Sequence, residues 1–194
     1  MDYISLEKEV EAHLLSKLSS KRASHCRSTA EYCRYLAGIF GVDEDKAYFA
    51  GLCHDIARET KKKEIIRLAH LYRPWDIMED ELEFPLLLHG RAGAGLLVET
   101  FDFKQEDILE SITWHISGKV GMSDLTKVLF CADFLEPGRD FIDDDFRTKA
   151  LAGNLDHTVK TVVISILNHR ESRKHTPCQR ERELFEALGL GDYI

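Results

Sequence analysis

Gly51-Leu52-Cys53-His54-Asp55-Ile56-Ala57-Arg58 is the stretch whose reading decides the fold, because it sets an adjacent histidine and aspartate at the end of an apolar run. Asp43 suits a helix N-cap, and Ala47, Ala50, Gly51 and His54 then recur at helical spacing on one face. This spacing predicts one helix over residues 43–58. Three of the four stripe residues are small, so a neighbouring helix can approach closely. The same face carries an imidazole, and a carboxylate beside it, toward the interior. Burying an ionised carboxylate is costly unless positive charge compensates it. A divalent metal would do so, since neutral imidazole and carboxylate are ordinary metal ligands. For a single His-Asp pair, a hydrogen-bonded core histidine is the commoner case. Other ligands on inward faces would change that.

The chain around this stretch is suited to carry a core. Its 194 residues fit a single domain over 1–194, with a motif-bearing part at about 20–140 and bracing helices over 141–194. Hydrophobic residues make up 44% and charged residues 31%, a globular composition. A formal net charge of −8 opposes broad contact with a polyanion, so no nucleic-acid partner is expected. No apolar run is long enough to span a bilayer and the N-terminus does not read as a signal peptide, so no membrane partner and a cytoplasmic location are expected. Cys26, Cys33, Cys53, Cys131 and Cys178 are odd in number and lack a C-x-x-C pair. They read as reduced, packed thiols.

With 4 Pro, 12 Gly and recurrent three- and four-residue apolar spacing, the chain reads as all-α. Leu6, Val10, Leu14 and Leu18 form the stripe of a first helix, with His13 off it and solvated. Lys21-Arg22 opens a second helix, carrying Cys26, Ala30, Cys33 and Ala37 inward and ending at Gly41. His25 borders that face, and Arg22 lies one turn away. Lys61-Lys62-Lys63 reads as a solvated helix start, and Pro74-Trp75-Asp76 as a break. A long helix is expected from Pro85, with Leu86, His89, Gly93, Leu96, Leu97 and Thr100 as its stripe. Residues 105–115 place His115 near a helix end, before Ser117-Gly118. Ser123 caps a helix whose apolar turn ends in Ala132-Asp133, and Glu136-Pro137-Gly138-Arg139 turns the chain. Asp143-Asp144-Asp145 reads as a loop or cap, and residues 155–169 and 181–188 as bracing helices. His157, His169 and His175 show no convergent partners.

Six groups therefore stand on or beside inward faces: His25, His54, Asp55, His89, His115 and Asp133. Gathered together without a shared cation, they would impose a heavy desolvation cost. Four imidazoles and two carboxylates are an N/O donor set suited to iron, manganese or zinc, and one carboxylate can serve two ions.

The order His25, His54-Asp55, His89, His115, Asp133 resembles the signature of the HD-domain metal-dependent phosphohydrolases. The surrounding residues are similar to the small bacterial YqeK group. They include Arg22-x-x-His25, Ala50-Gly51-Leu52-Cys53-His54-Asp55, Leu88-His89-Gly90, His115-Ile116-Ser117-Gly118 and Ala132-Asp133-Phe134-Leu135-Glu136-Pro137-Gly138-Arg139. The resemblance implies an HD-domain helical bundle with extra N- and C-terminal helices. It implies symmetrical hydrolysis of diadenosine tetraphosphate to two ADP, by attack of a metal-bound hydroxide on an inner phosphorus. It also implies a divalent or di-iron-type centre, iron first, with manganese or zinc as substitutes. His25, His54, Asp55 and Asp133 would hold one ion and His89 and His115 a second, with Asp55 bridging. The substrate would be a small dinucleoside polyphosphate, and the resemblance leaves a homodimer open. Arg139, Arg58 and Lys119 are the cations expected to meet developing charge, with Asp55 at the catalytic centre. Arg22, Gly118 and Arg139 are expected to contact substrate. The group commonly has Lys at the position of Arg58 and Thr where Ile116-Ser117 stand, and Lys174-His175-Thr176-Pro177-Cys178 matches it poorly. Two other readings use the same scaffold: an HD phosphohydrolase acting on a nucleoside monophosphate, a dNTP or a guanosine alarmone, and a non-catalytic nucleotide sensor.

Overall fold

In the computed structural model, which describes residues 3–72, 75–171 and 176–193, every regular element is helical. The expected break at Pro74 and His175 lie outside these residues. Helix α1 (Tyr3–Lys17) docks through buried Leu6, Val10 and Leu14 on α3 and α2. His13, expected to be solvated, is half-buried with its ring edge-on to Phe101 at 5.8 Å.

Helix α2 (Ser20–Phe40) is the longest. Ser19 caps it by accepting from the Arg22 N–H, and Gly41 stops it at φ 70, a left-handed value that glycine takes without strain. Its inward stripe of Ala23, Cys26, Ala30, Cys33, Leu36 and Ala37 packs on α3 (Glu44–Cys53). The approach is close because Gly51 has no side chain: a Cβ there would lie 2.7 Å from Ala30 Cα. Asp43 caps α3 as expected, accepting from the Lys46 N–H at 2.9 Å.

The α3 helix is shorter than its sequence pattern predicts. It ends at Cys53, and residues 54–59 continue as tight turns bonded Ile56 N–H to Cys53 O, Arg58 N–H to Asp55 O and Thr60 N–H to Ala57 O. The switch from i+4 to i+3 bonding is common at helix ends. His54 and Asp55, the first two residues of these turns, are both buried.

Helix α4 (Lys62–Ala69) and α5 (Glu79–Glu83) lead to a 3-10 turn (Pro85–Leu88) and α6 (His89–Phe101). Pro85 thus opens a 3-10 turn and the α-helix itself begins at His89, a correction of the expected start. Leu86 is exposed and Thr100 lies on the outer face, so the true stripe is His89, Gly93, Leu96 and Leu97. Helix α6 packs between α4 and α7 (Glu106–Trp114), α7 packs on α8 (Asp124–Leu135), and α8 also contacts α2 and α3. Ser123 caps α8 through the Thr126 N–H, and Asp143 caps α9 (Asp144–Ala150) through the Phe146 N–H at 2.7 Å. Helix α10 (Leu155–Glu171) covers α8 and α9, and α11 (Gln179–Ala187) contributes buried Leu184 and Phe185. All five cysteines are buried and unpaired. No helix of the described residues is long and apolar enough to cross a membrane.

Candidate metal centre

Five helix ends converge on one point. His25 comes from the second turn of α2, His54 and Asp55 from the turn after α3, and His89 from the start of α6. His115 follows α7, and Asp133 lies in the last turn of α8. His54, Asp55, His89 and His115 are buried. Asp133 is about a quarter exposed at its side chain and His25 a tenth.

Asp55 divides its two oxygens between two pairs of histidines. Its Oδ1 lies 2.9 Å from His89 Nε2 and 3.9 Å from His115 Nε2. Its Oδ2 lies 3.4 Å from His54 Nε2 and 3.8 Å from His25 Nε2. Asp133 Oδ1 closes the second side, 3.0 Å from His25 Nε2 and 3.6 Å from His54 Nε2. Three sets (His25, His54 and Asp55; His54, His115 and Asp133; Asp55, His89 and His115) each bring their ligand atoms within 4.8 Å of one another.

The outer ring nitrogens fix the tautomers. His54 Nδ1 donates to Gly51 O at 2.7 Å, His89 Nδ1 to Leu86 O at 2.5 Å and His115 Nδ1 to Ile112 O at 2.7 Å. A carbonyl oxygen can only accept, so each Nδ1 carries the proton and each Nε2 offers a lone pair to the centre. Yet His89 Nε2 and His115 Nε2 stand 3.2 Å apart, and so do the Nε2 atoms of His25 and His54. Burial, reinforced by the neighbouring His54 and His89, pushes the His115 pKa down to about 3, so that ring is neutral in ordinary solution. Facing lone pairs around a carboxylate are unfavourable by themselves and favourable around a cation. The donor set therefore fits a divalent metal centre.

Electrostatics agree at the two aspartates. Burial alone would raise the Asp55 pKa, but the adjoining imidazoles of His54 and His89 hold it well below the usual carboxylate range. Asp133 is likewise held low against burial, by His25, His54 and Arg139. Both carboxylates are ionised.

The remaining candidates separate. Arg22 Nη1 donates to Asp55 Oδ2 at 2.5 Å, and Arg58 Nε lies 3.9 Å from Asp55 Oδ1. Arg139 Nε donates to Asp133 O at 2.8 Å, and its Nη2 bonds Asp133 Oδ1. All three guanidinium groups line one cavity with Asp55 and Asp133. Lys119 is not brought there. It pairs with Glu110 at 2.7 Å and stands over the Trp75 ring, because the Gly118 turn directs it away from the histidines. Gly118 itself serves the turn: its φ is 63, and a Cβ would lie 2.5 Å from Leu184 Cδ2. It is packed rather than open to substrate.

Sequence reasoning missed Glu136. The residue reads as part of a turn, but it is buried, with Oε1 3.2 Å from His25 Nδ1 and Oε2 bonded to Ser28 and to the Gly138 N–H. Burial would raise its pKa, but these bonds bring it down to about 2. Glu136 orients His25 as the carbonyls orient the other three rings. The signal available was an acid three residues after Asp133, directly before Pro137-Gly138. Glu136→Gln is expected to weaken metal binding by roughly 10- to 100-fold, the usual cost of losing such a partner. A competitive chelator titration measures it, and an unchanged affinity would leave Glu136 with only its Ser28 and Gly138 contacts.

A family model described as HD domain matches residues 22–187, which contain all six inward-facing candidates. The chain belongs to the HD domain family. Within that family it is 32% identical over 146 residues to the symmetrical bis(5'-nucleosyl)-tetraphosphatase of Staphylococcus aureus, covering 74% of each chain. It is 34% identical over 134 residues to the enzyme of that name from Bacillus subtilis, covering 69% of this chain and 70% of that one. Among solved structures, it is similar to a crystal structure from Clostridium acetobutylicum described as a predicted HD superfamily hydrolase involved in NAD metabolism. The match has a TM-score of 0.83 and 27% identity, over 95% of this chain and 96% of that one. The all-helical HD-domain architecture expected from the sequence is the one observed.

Proposed function

We propose that this chain is a metal-dependent hydrolase that cleaves diadenosine tetraphosphate symmetrically into two ADP. The observation that carries the reading is the divided carboxylate of Asp55, one oxygen toward His89 and His115 and the other toward His25 and His54. It is joined to similarity, over most of the chain, with enzymes named for that reaction.

In this reading His25, His54, Asp55 and Asp133 would hold one ion, and His89 and His115, together with Asp55, would hold a second. Iron is the proposed native metal, since the imidazole-rich N/O set suits it. When bound, such ions supply Lewis-acid charge and lower the pKa of bound water from 15.7 to about 7. The protein's own groups then do the positioning. Arg22, Arg58 and Arg139 share the cavity wall, so a polyphosphate entering it meets three planar donors suited to phosphate oxygens. Arg139 directs Nε toward Asp133 and Glu136 and Nη2 toward Asp133 and, at 3.3 Å, His25 Nε2, so among the described residues its guanidinium contacts all lie on the Nε and Nη2 side. That leaves one side of the guanidinium to stabilise charge on a departing phosphate, a contact typically worth on the order of 3 kcal/mol. Buried, unpaired thiols suit a reducing cytoplasm.

The test is hydrolysis in heavy-oxygen water by metal-loaded protein, with mass analysis of the products. Two ADP, with solvent oxygen in one of the pair, is the expected result. ATP plus AMP would overturn the symmetrical assignment while leaving the metal centre. No turnover of any nucleotide would favour the sensor.

A further inference from the structure

Two cavities meet at Arg58, His89 and Ile116. The smaller, of about 280 Å³, contains the aspartates of the metal centre and is bordered by Phe141. The larger, of about 650 Å³, runs away from the centre over the 3-10 turn before α6 toward the start of α11. Its walls include Phe84, Leu86, Ile116 and Pro177, with Arg182 at one side. This volume lies within the roughly 300–1,000 Å³ of ordinary small-molecule sites, which are mostly apolar with a few polar groups.

Each cavity carries one large aromatic side chain left in solvent: Phe84 is 60% exposed and Phe141 is 59% exposed. Neither face is needed for the core. Phe141 is already braced, edge-on to Phe134 at 5.6 Å and stacked with His169 at 6.0 Å. Exposed phenylalanines bordering a cationic, metal-fitted cleft are chemically suited to flat, uncharged rings attached to phosphate.

We propose that the two cavities are two nucleoside subsites, with one base against Phe84, the other against Phe141, and Arg58 gripping the phosphate chain where the cavities join. The inference rests on the dinucleoside polyphosphate reading above and adds how the two ends of the substrate are told apart from bare polyphosphate. A symmetrical cut places the central bridge at the metal centre, so a nucleoside must extend from it in each direction. The larger cavity is the room for the second one. Phe84 lines only that cavity and Phe141 only the other, so their contributions should be independent.

The experiment compares Phe84→Ala, Phe141→Ala and the double variant, each metal-loaded and matched to wild type in metal content. Losing one stacked base is expected to raise KM for diadenosine tetraphosphate about tenfold in each single variant, and about a hundredfold in the double. Phe84→Trp, which keeps a stacking face, is expected to restore KM. Inhibition by inorganic tetraphosphate, which has no base, is expected to stay within about twofold throughout. An unchanged KM in Phe84→Ala overturns the proposal. So does a double variant no worse than the worse single, or an equal weakening of inorganic tetraphosphate. Wild-type protein that fails to cleave diadenosine tetraphosphate would instead remove the functional reading itself, and the comparison separates that failure from loss of the subsite alone.

Discussion

Asp55→Ala is expected to lose bound metal and turnover together, by more than the roughly 10- to 100-fold that an outer partner such as Glu136 controls. Asp55 is the one residue with an oxygen toward every histidine of the centre. Removing it leaves His89 and His115 as a two-imidazole site and takes a carboxylate from the His25–His54 side. It also frees Arg22, whose Nη1 is 2.5 Å from Asp55 Oδ2, to stand as an uncompensated cation beside the imidazoles. Cation binding is therefore opposed by charge as well as by the missing ligand. Metal analysis of purified protein beside turnover reads both effects. A variant that keeps its metal but not its activity would make Asp55 a participant in chemistry only. One that keeps both would overturn the centre as described.

The second large effect concerns folding. Gly95→Ala is expected to destabilise the protein by about 3 kcal/mol or more, although alanine is the better helix former by about 1 kcal/mol. A Cβ on Gly95 would lie 2.0 Å from Leu68 O and 2.9 Å from Leu68 C, so the obstacle is the backbone of α4 and no side chain can swing aside. For a chain of this size the melting temperature should fall by roughly 6–12 °C. Gly38→Ala is the internal comparison. It sits in α2, where a Cβ would come no closer than 3.4 Å to the end of the Glu44 side chain, and it is expected to stabilise by about 0.5–1 kcal/mol. Equal melting temperatures in the two variants would refute the close packing of α4 on α6.

Much of this was legible in the chain because the strongest signals are chemical mismatches. An imidazole on an apolar stripe, as at His89, or an acid ending an apolar turn, as at Asp133, stands out without any coordinates. The all-α class followed equally directly from the spacing of Leu6, Val10 and Leu14, and of Cys26, Ala30, Cys33 and Ala37. What escaped were decisions made by hydrogen bonding after a helix ends. Periodicity carried α3 on to Arg58, whereas bonding to i+3 carbonyls stops it at Cys53. Leu86 belongs to a 3-10 turn, which rotates it out to solvent. Lys119 is close to His115 in sequence, but the turn at Gly118 sends it to Glu110. Glu136 was hidden because its role depends on a histidine 111 residues away.

His54, His89 and His115 each lean on a carbonyl three residues back in their own segment, not on a group across the cleft. Their aim is thus a local property of the chain. The fold itself therefore aims these three rings, and substituting one of them is not expected to misdirect the other two. In the proposed reading, the choice of divalent metal is expected to follow from donor chemistry and from what the cell supplies, with activity tracking metal availability.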